Sequence, residues 1–267
     1  MNIFDPHIHM FSRTTDDYER MAVAGIRAVV EPSFWLGQPR TNVGSFIDYW
    51  SLLTEWEPTR AKQFGIKHFC TISLNPKEAN NEKLAKEVLS AMKDFLDRPT
   101  VLGVGEIGFD KITLAEEKAL RAQLEIALDK KLCVLIHLPH VDKLRGAEKT
   151  ISILKEMNYP EEMVVLDHNT EETIPIVKEN TNCFAGHTVY TRTKLTPDRA
   201  ANILETFGTD RMLINSSADW GVSDPLNVPK TVYELRKRNF PEAEIEKVVW
   251  HNPISFYSKS GKLNLNI

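Results

Sequence analysis

Eight short apolar runs recur along the chain with helical stretches between them, and this rhythm limits the fold more than any other feature. The runs are "NIFDPHI" near the start, "GIRAVVE" (25–31), "GIKHFCTISL" (65–74), "TVLGVGEIG" (100–108), "LCVLIHL" (132–138), "MVVLDH" (163–168), "NCFAGH" (182–187) and "RMLINSS" (211–217). Their apolar residues do not alternate with polar ones, as the strands of a half-solvated sheet would. They read as parallel strands buried on both faces. In 82–96, Leu84, Val88, Met92 and Phe95 fall on one helical stripe, and in 116–130 Leu120, Leu124 and Leu128 do the same. The pattern predicts a (β/α)8 TIM barrel, with a doubly wound open sheet as the structural alternative. At 267 residues and 42% hydrophobic the chain can bury one large core. α/β barrels commonly run to about 250 residues as one domain, so residues 1–267 are expected to form a single domain.

One connection breaks the rhythm. Residues 32–65 follow the second strand and hold three of the five tryptophans, Trp35, Trp50 and Trp56. That is far longer than an ordinary βα loop with one helix, so a long insertion is expected there. Trp50 and Trp56 are expected to face the core from a long helix, and Phe34 and Trp35 to border the site as part of a lid, with Trp35 a candidate substrate contact.

Bulk charge excludes some partners. A net charge of -4 gives no general attraction to nucleic acid or to an anionic membrane, so a dedicated non-specific nucleic-acid binder is excluded. No apolar run approaches the roughly 18 residues of a membrane span. Cys70, Cys133 and Cys183 are odd in number, far apart and set in strand-like runs, which suits a reducing compartment. Residues 1–9 have neither the charged start nor the unbroken apolar stretch of a secretory leader. A cytoplasmic location is expected.

A barrel places its functional groups at the carboxyl ends of its strands. Read in order, those ends carry His7 and His9, Glu106, His137, His168 and His187, with Asp219 just past the eighth. If the first strand extends through "FDPHIHMF", its period of two puts Asp5, His7 and His9 on one face. Imidazole nitrogens and carboxylate oxygens are the ligands that divalent zinc, manganese or iron take. Four histidines and two carboxylates suffice for two ions if one carboxylate, Glu106, bridges them. Two such ions can activate water and stabilise both oxygens of a displacement. Each histidine alone is an ordinary hydrogen-bonded residue of a barrel rim, but Glu106 in "VGEIGFD" is a charge among Val, Gly and Ile that needs a partner.

With these pieces in place the chain resembles the TatD-type metal-dependent hydrolases, a branch of the amidohydrolase-like TIM barrels that includes DNases. The likeness runs from "DPHIH" through "GEIGFD", "VLIH", "DHNTEET" and "SSADWG" to "HNPISFY", and "GEIGFD" is its most specific element. The resemblance implies two divalent ions (zinc, manganese, magnesium or iron), one held by His7, His9, Glu106 and Asp219 and the other by Glu106, His137 and His168. It also implies that Asp219 takes the proton of the attacking water.

The neighbours of these residues depart from the family pattern. Pro139 stands where an Arg is frequent, Asn169 follows the sixth-strand histidine in place of Cys, and Ala218 precedes Asp219 where Thr is usual. The lost Arg removes a bidentate phosphate contact. Arg192 and Lys194 in "YTRTK" can replace it, and His187 is a further candidate substrate contact. The resemblance implies hydrolysis of a phosphoester in a small phosphorylated metabolite or at a nucleic-acid end. The competing readings are an amidohydrolase or lactonase acting on a carbonyl, and a barrel that binds metal without turnover.

Overall fold

The computed structural model describes residues 1–266. Eight parallel strands pair in sequence order, β1 (Ile3–Asp5), β2 (Ile26–Pro32), β3 (Lys67–Ile72), β4 (Val101–Gly108), β5 (Cys133–His137), β6 (Val164–Asp167), β7 (Phe184–Thr188) and β8 (Met212–Asn215). All eight apolar runs are strands, and the sheet curls into a nearly closed TIM barrel. The seam between β1 and β8 is bridged at its rim: Ser217 N donates to the His7 carbonyl at 2.7 Å and His9 N to that of Ala218 at 2.9 Å.

The helices are α1 (Thr15–Val23), α2 (Val43–Ser51), α3 (Glu57–Lys62), α4 (Glu82–Ala91), α5 (Leu114–Lys130), α6 (Lys143–Glu156), α7 (Ile174–Asn180), α8 (Pro197–Phe207), α9 (Asn227–Lys237), α10 (Glu242–Glu246) and α11 (Asn252–Tyr257). Their starts are written locally. Thr113 and Glu116 form a reciprocal capping box at α5, and Thr196 caps α8 ahead of Pro197. The stripe of Leu84, Val88, Met92 and Phe95 is buried as expected, whereas Leu128 is exposed and leaves its stripe at Leu124.

The barrel wall separates two apolar layers. Phe4, Val30, Leu102, Leu135, Val165 and Leu213 fill the interior, which Phe256 and Tyr257 of α11 close from below. The opposite strand faces pack against the helices. Interior packing stops short of the strand ends, and the space above it is taken by polar side chains.

Between β2 and β3 the chain forms α2 and α3, joined through a π turn at Leu52–Trp56. Trp50 is fully buried, but Trp56 is 55% exposed, contrary to the expectation that both face the core. The π turn carries one extra residue, which rotates the following side chains relative to the buried stripe.

Candidate active site

The first strand ends at Asp5, two residues before the histidines. The expected alternation therefore fails, and Asp5 does not join His7 and His9. Its Oδ1 instead accepts from the backbone N–H groups of His7 and Ser216, both at 3.2 Å, tying the β1 exit to the segment after β8. His7 and His9 come together without strand geometry, their Nε2 atoms 3.0 Å apart.

Glu106, on β4, is the centre of the arrangement. Its Oε1 lies 3.2 Å from His7 Nε2 and 3.2 Å from His168 Nε2, and 3.8 Å from His137 Nδ1. Ligand atoms of His7, Glu106 and His168 all fall within 4.8 Å of one another, and all three residues are buried. Asn75 donates to Glu106 Oε2 at 3.3 Å. His168 reaches the interior because its backbone is left-handed, with φ of 65°. In a regular strand it would face away from its neighbour Asp167; the bend brings both side chains inward.

The polarity of the hydrogen bonds tests whether metal fits. Thr188 Oγ1 donates to Asn215 Oδ1 at 2.8 Å, so its 2.6 Å contact with His168 can only be an N–H of Nδ1 donating to it. His168 Nε2 then presents a lone pair to Glu106. His7 Nδ1 donates to Asp167 Oδ2 at 2.5 Å, leaving Nε2 to face the same carboxylate oxygen. His137 Nδ1 has no hydrogen-bond partner among the described residues. Acceptors facing acceptors at this range need a cation or a proton between them, and the donor set suits a divalent metal. Burial pulls the His7 pKa down, but the charges of Glu106 and Asp167 outweigh it and raise it: the site asks for positive charge at Nε2. Burial holds His9 at about 3, so its imidazole is a neutral donor.

Above this cluster is a cavity of about 220 Å³ whose walls include Phe34, Trp35, Tyr190, Lys194, Asp219 and Trp220. Phe34 stacks on the His9 ring at 4.0 Å, and Trp220 packs against both Phe34 and Trp35. Asp219 is half-buried here, outside the tight trio. Its Oδ1 accepts from Tyr190 OH at 2.9 Å and from Gly221 N at 2.7 Å.

A model of the TatD-related DNase family matches residues 4–258. The chain belongs to that family. It is 26% identical to an uncharacterized metal-dependent hydrolase of Methanocaldococcus jannaschii over 258 residues, covering 96% of this chain and 99% of the relative. The crystal structure of a TatD-like protein from Archaeoglobus fulgidus matches with a TM-score of 0.78 and 26% identity, covering 95% of this chain and 99% of that one. A phosphotriesterase-like lactonase of Deinococcus radiodurans shares the fold at a TM-score of 0.72 and 13% identity, covering 96% and 95%. This TatD-type chain is a metal-dependent hydrolase, and none of its helices, among the described residues, is long and apolar enough to cross a membrane.

Two expected substrate contacts of the TatD-type site are not in the cavity. His187 shares the outer face of β7 with Ala185 and sits 3.3 Å from the sulfur of Met212, so it faces the helices. Arg192 is exposed in the loop after β7 and does not line the cavity. Lys194 does, as does Trp35. The sequence reading missed His140, whose ring lies against His137 and His168, and Trp220. It also missed the buried trio Asp167, Thr188 and Asn215. The one available signal was that each of these three lies at a strand end.

Proposed function

We propose that the chain hydrolyses a phosphoester, in a small phosphorylated metabolite or at a nucleic-acid end, and that it uses two divalent ions. His7, His9, Glu106 and Asp219 would hold one, and Glu106, His137 and His168 the other. Divalent ions held there lower the pKa of water and stabilise developing charge on the attacking and leaving oxygens. Asp219 takes the proton of the attacking water: Tyr190 and Gly221 donate to its Oδ1, and Oδ2, which accepts no hydrogen bond among the described residues, is left to act as the base.

The observation that carries the phosphorus reading is Lys194. Its ammonium has no carboxylate within 4.0 Å among the described residues, and it lies 3.1 Å from His168 Nδ1 and 3.4 Å from Nε2. Distances so nearly equal put it over the ring face rather than on a lone pair. Burial depresses its pKa, the mark of an ammonium that lacks a full counter-charge. An anionic ester group supplies that charge, in the role of the Arg displaced by Pro139. The cavity is smaller than the roughly 300–1,000 Å³ of sites that enclose a whole ligand, so it suits the group around the scissile bond.

The test is a panel of a phosphodiester, a phosphomonoester, single-stranded DNA, a lactone and an N-acyl compound with Mn²⁺, Zn²⁺ and Mg²⁺. Turnover of phosphorus substrates that is weakened in KM by Lys194→Met is expected. Turnover confined to the lactone or the N-acyl compound would overturn the reading.

A further inference from the structure

We infer that Asp167 is a branched positioning residue that holds the protons of two metal-facing histidines at once. The inference rests on metal binding at this site, though not on which bond is cut. One carboxylate oxygen, Oδ2, accepts from His7 Nδ1 at 2.5 Å. The other, Oδ1, accepts from Asn215 Nδ2 at 2.9 Å. From Asn215 the chain of bonds continues: Asn215 Oδ1 accepts from Thr188 Oγ1 at 2.8 Å, and Thr188 Oγ1 accepts from His168 Nδ1 at 2.6 Å. Asp167, Asn215, Thr188, His7 and His168 are all buried, so water does not compete for these groups.

The direction of every bond follows from one fact, that an ionised carboxylate only accepts. Asn215 must turn its NH2 toward Asp167, which leaves its oxygen for the Thr188 hydroxyl. Thr188 has then spent its only proton and must accept from His168. His7 must likewise give its Nδ1 proton to Asp167. Both rings are left with Nε2 directed at Glu106, the nitrogen that a metal ion would take.

The fold makes room for this carboxylate. A Cβ at Gly186 on β7 would fall 2.1 Å from Asp167 Oδ1, so the side chain occupies space that any other residue there would fill.

Asparagine at position 167 is nearly the same shape but has one acceptor and one donor. If its oxygen faces His7, its NH2 forces Asn215 to flip, Thr188 then donates to His168, and the His168 proton moves to Nε2. If its oxygen faces Asn215, its NH2 donates to His7 Nδ1 and the His7 proton moves instead. Either way one of the two rings, and not both, loses its metal-facing lone pair. A residue that merely filled space would show no such either-or effect.

The experiment uses the full chain. Long-range 1H–15N spectra of the metal-free wild type should show a proton on Nδ1 of both His7 and His168, and Asp167→Asn should remove it from one ring only. Zn²⁺ affinity, measured by competition with a chromophoric chelator, should fall about 10–100-fold. Thr188→Val should release His168 alone and weaken Zn²⁺ binding, and Thr188→Ser should restore both. Asp167→Asn with both Nδ1 protons in place and Zn²⁺ affinity within about twofold of wild type would overturn the inference. If Asp167→Asn does not fold, the Thr188 pair decides: wild-type Zn²⁺ affinity and an unmoved His168 proton in Thr188→Val overturn it equally.

Discussion

Two buried clusters in this barrel have nearly the same composition and opposite character. His7, Glu106 and His168 sit inside the mouth; Glu31, Glu57 and His68 lie outside the wall, on β2, α3 and β3, again with ligand atoms within 4.8 Å of one another. In the outer cluster each carboxylate meets donors. Glu31 accepts from Phe11 N at 2.8 Å and pairs with His68 Nε2 at 2.8 Å, while Glu57 accepts from Tyr18 OH at 2.9 Å and from Arg60 at 3.1 Å. Its guanidinium supplies the positive charge from within the chain, and Arg60 Nε is a buried donor with no acceptor among the described residues, which repels a cation. In the inner cluster the Nε2 atoms of His7 and His168 converge on one oxygen of Glu106, and no Lys or Arg among the described residues bonds to that carboxylate. Residue types and proximity alone do not mark a metal centre; the direction of the donors does.

The sharpest way to break this contrast is to remove the carboxylate at each centre. Glu106→Gln halves the acceptor character of the inner cluster and places an NH2 among ligands that need a cation. Zn²⁺ or Mn²⁺ content by elemental analysis should fall to less than half of wild type, and kcat/KM on the best substrate should drop by about 10³ or more, as for loss of a group acting directly on the reacting centre. Full metal content in this variant would remove Glu106 from the bridging role.

How far the sequence reveals these clusters depends on the physics each one uses. The eight strands were legible because burial on both faces leaves uninterrupted apolar runs, and Glu106 stood out because a charge inside such a run demands a partner. His187 misled for the same reason: it ends an apolar run, but the period of two turns it outward with Ala185. His168 and Asp167 both turn inward only because of a left-handed residue, which no periodicity encodes. Asp167, Thr188 and Asn215 are joined across three strands separated by many residues, so their shared function exists only after folding. The outer cluster was invisible, since Glu31, Glu57 and His68 read singly as ordinary polar positions.

At the outer centre the expected effect is on stability, not on metal. Burial pushes Glu31 up to about 8, partly offset by the N–H of Phe11 and by Arg60, whereas His68 is held down at about 4 by burial. At neutral pH the pair therefore carries its proton on the carboxyl. A carboxyl whose folded pKa exceeds its unfolded value binds more protons when folded, so its contribution is full below about 4.5 and is lost as pH rises through about 8. Chemical denaturation of the metal-free protein should show this group's loss, on the order of 2–4 kcal/mol between pH 5 and 9, as the difference between wild type and Glu31→Gln, because His68, His9 and His187, held down by burial, shift the total in the opposite direction. Asp5, raised to about 7 by burial, adds in the same direction. Glu31→Gln keeps a donor for His68 and an acceptor for Phe11, so it should flatten the Glu31 part of that slope and leave metal content unchanged. An unaltered slope would show that Glu31 is ionised at neutral pH.

The smallest expected effect separates two cations of one loop. Arg192 is exposed and Lys194 lines the cavity, although the sequence offers both as phosphate contacts. A solvated cation outside the cavity is screened by salt within roughly 8 Å at physiological ionic strength, whereas one inside the cavity is screened much less. Arg192→Ala should therefore change KM for a phosphoester by less than about twofold, and any change should vanish in 0.5 M salt, where the screening length is shorter still. Lys194→Met should raise KM about tenfold or more with little recovery in salt, as befits a charge-assisted contact of about 1.5–3 kcal/mol. Equal, salt-sensitive losses in the two variants would mean that both lysine and arginine act as a diffuse field at the mouth, and that the anion is not held at the Lys194 ammonium.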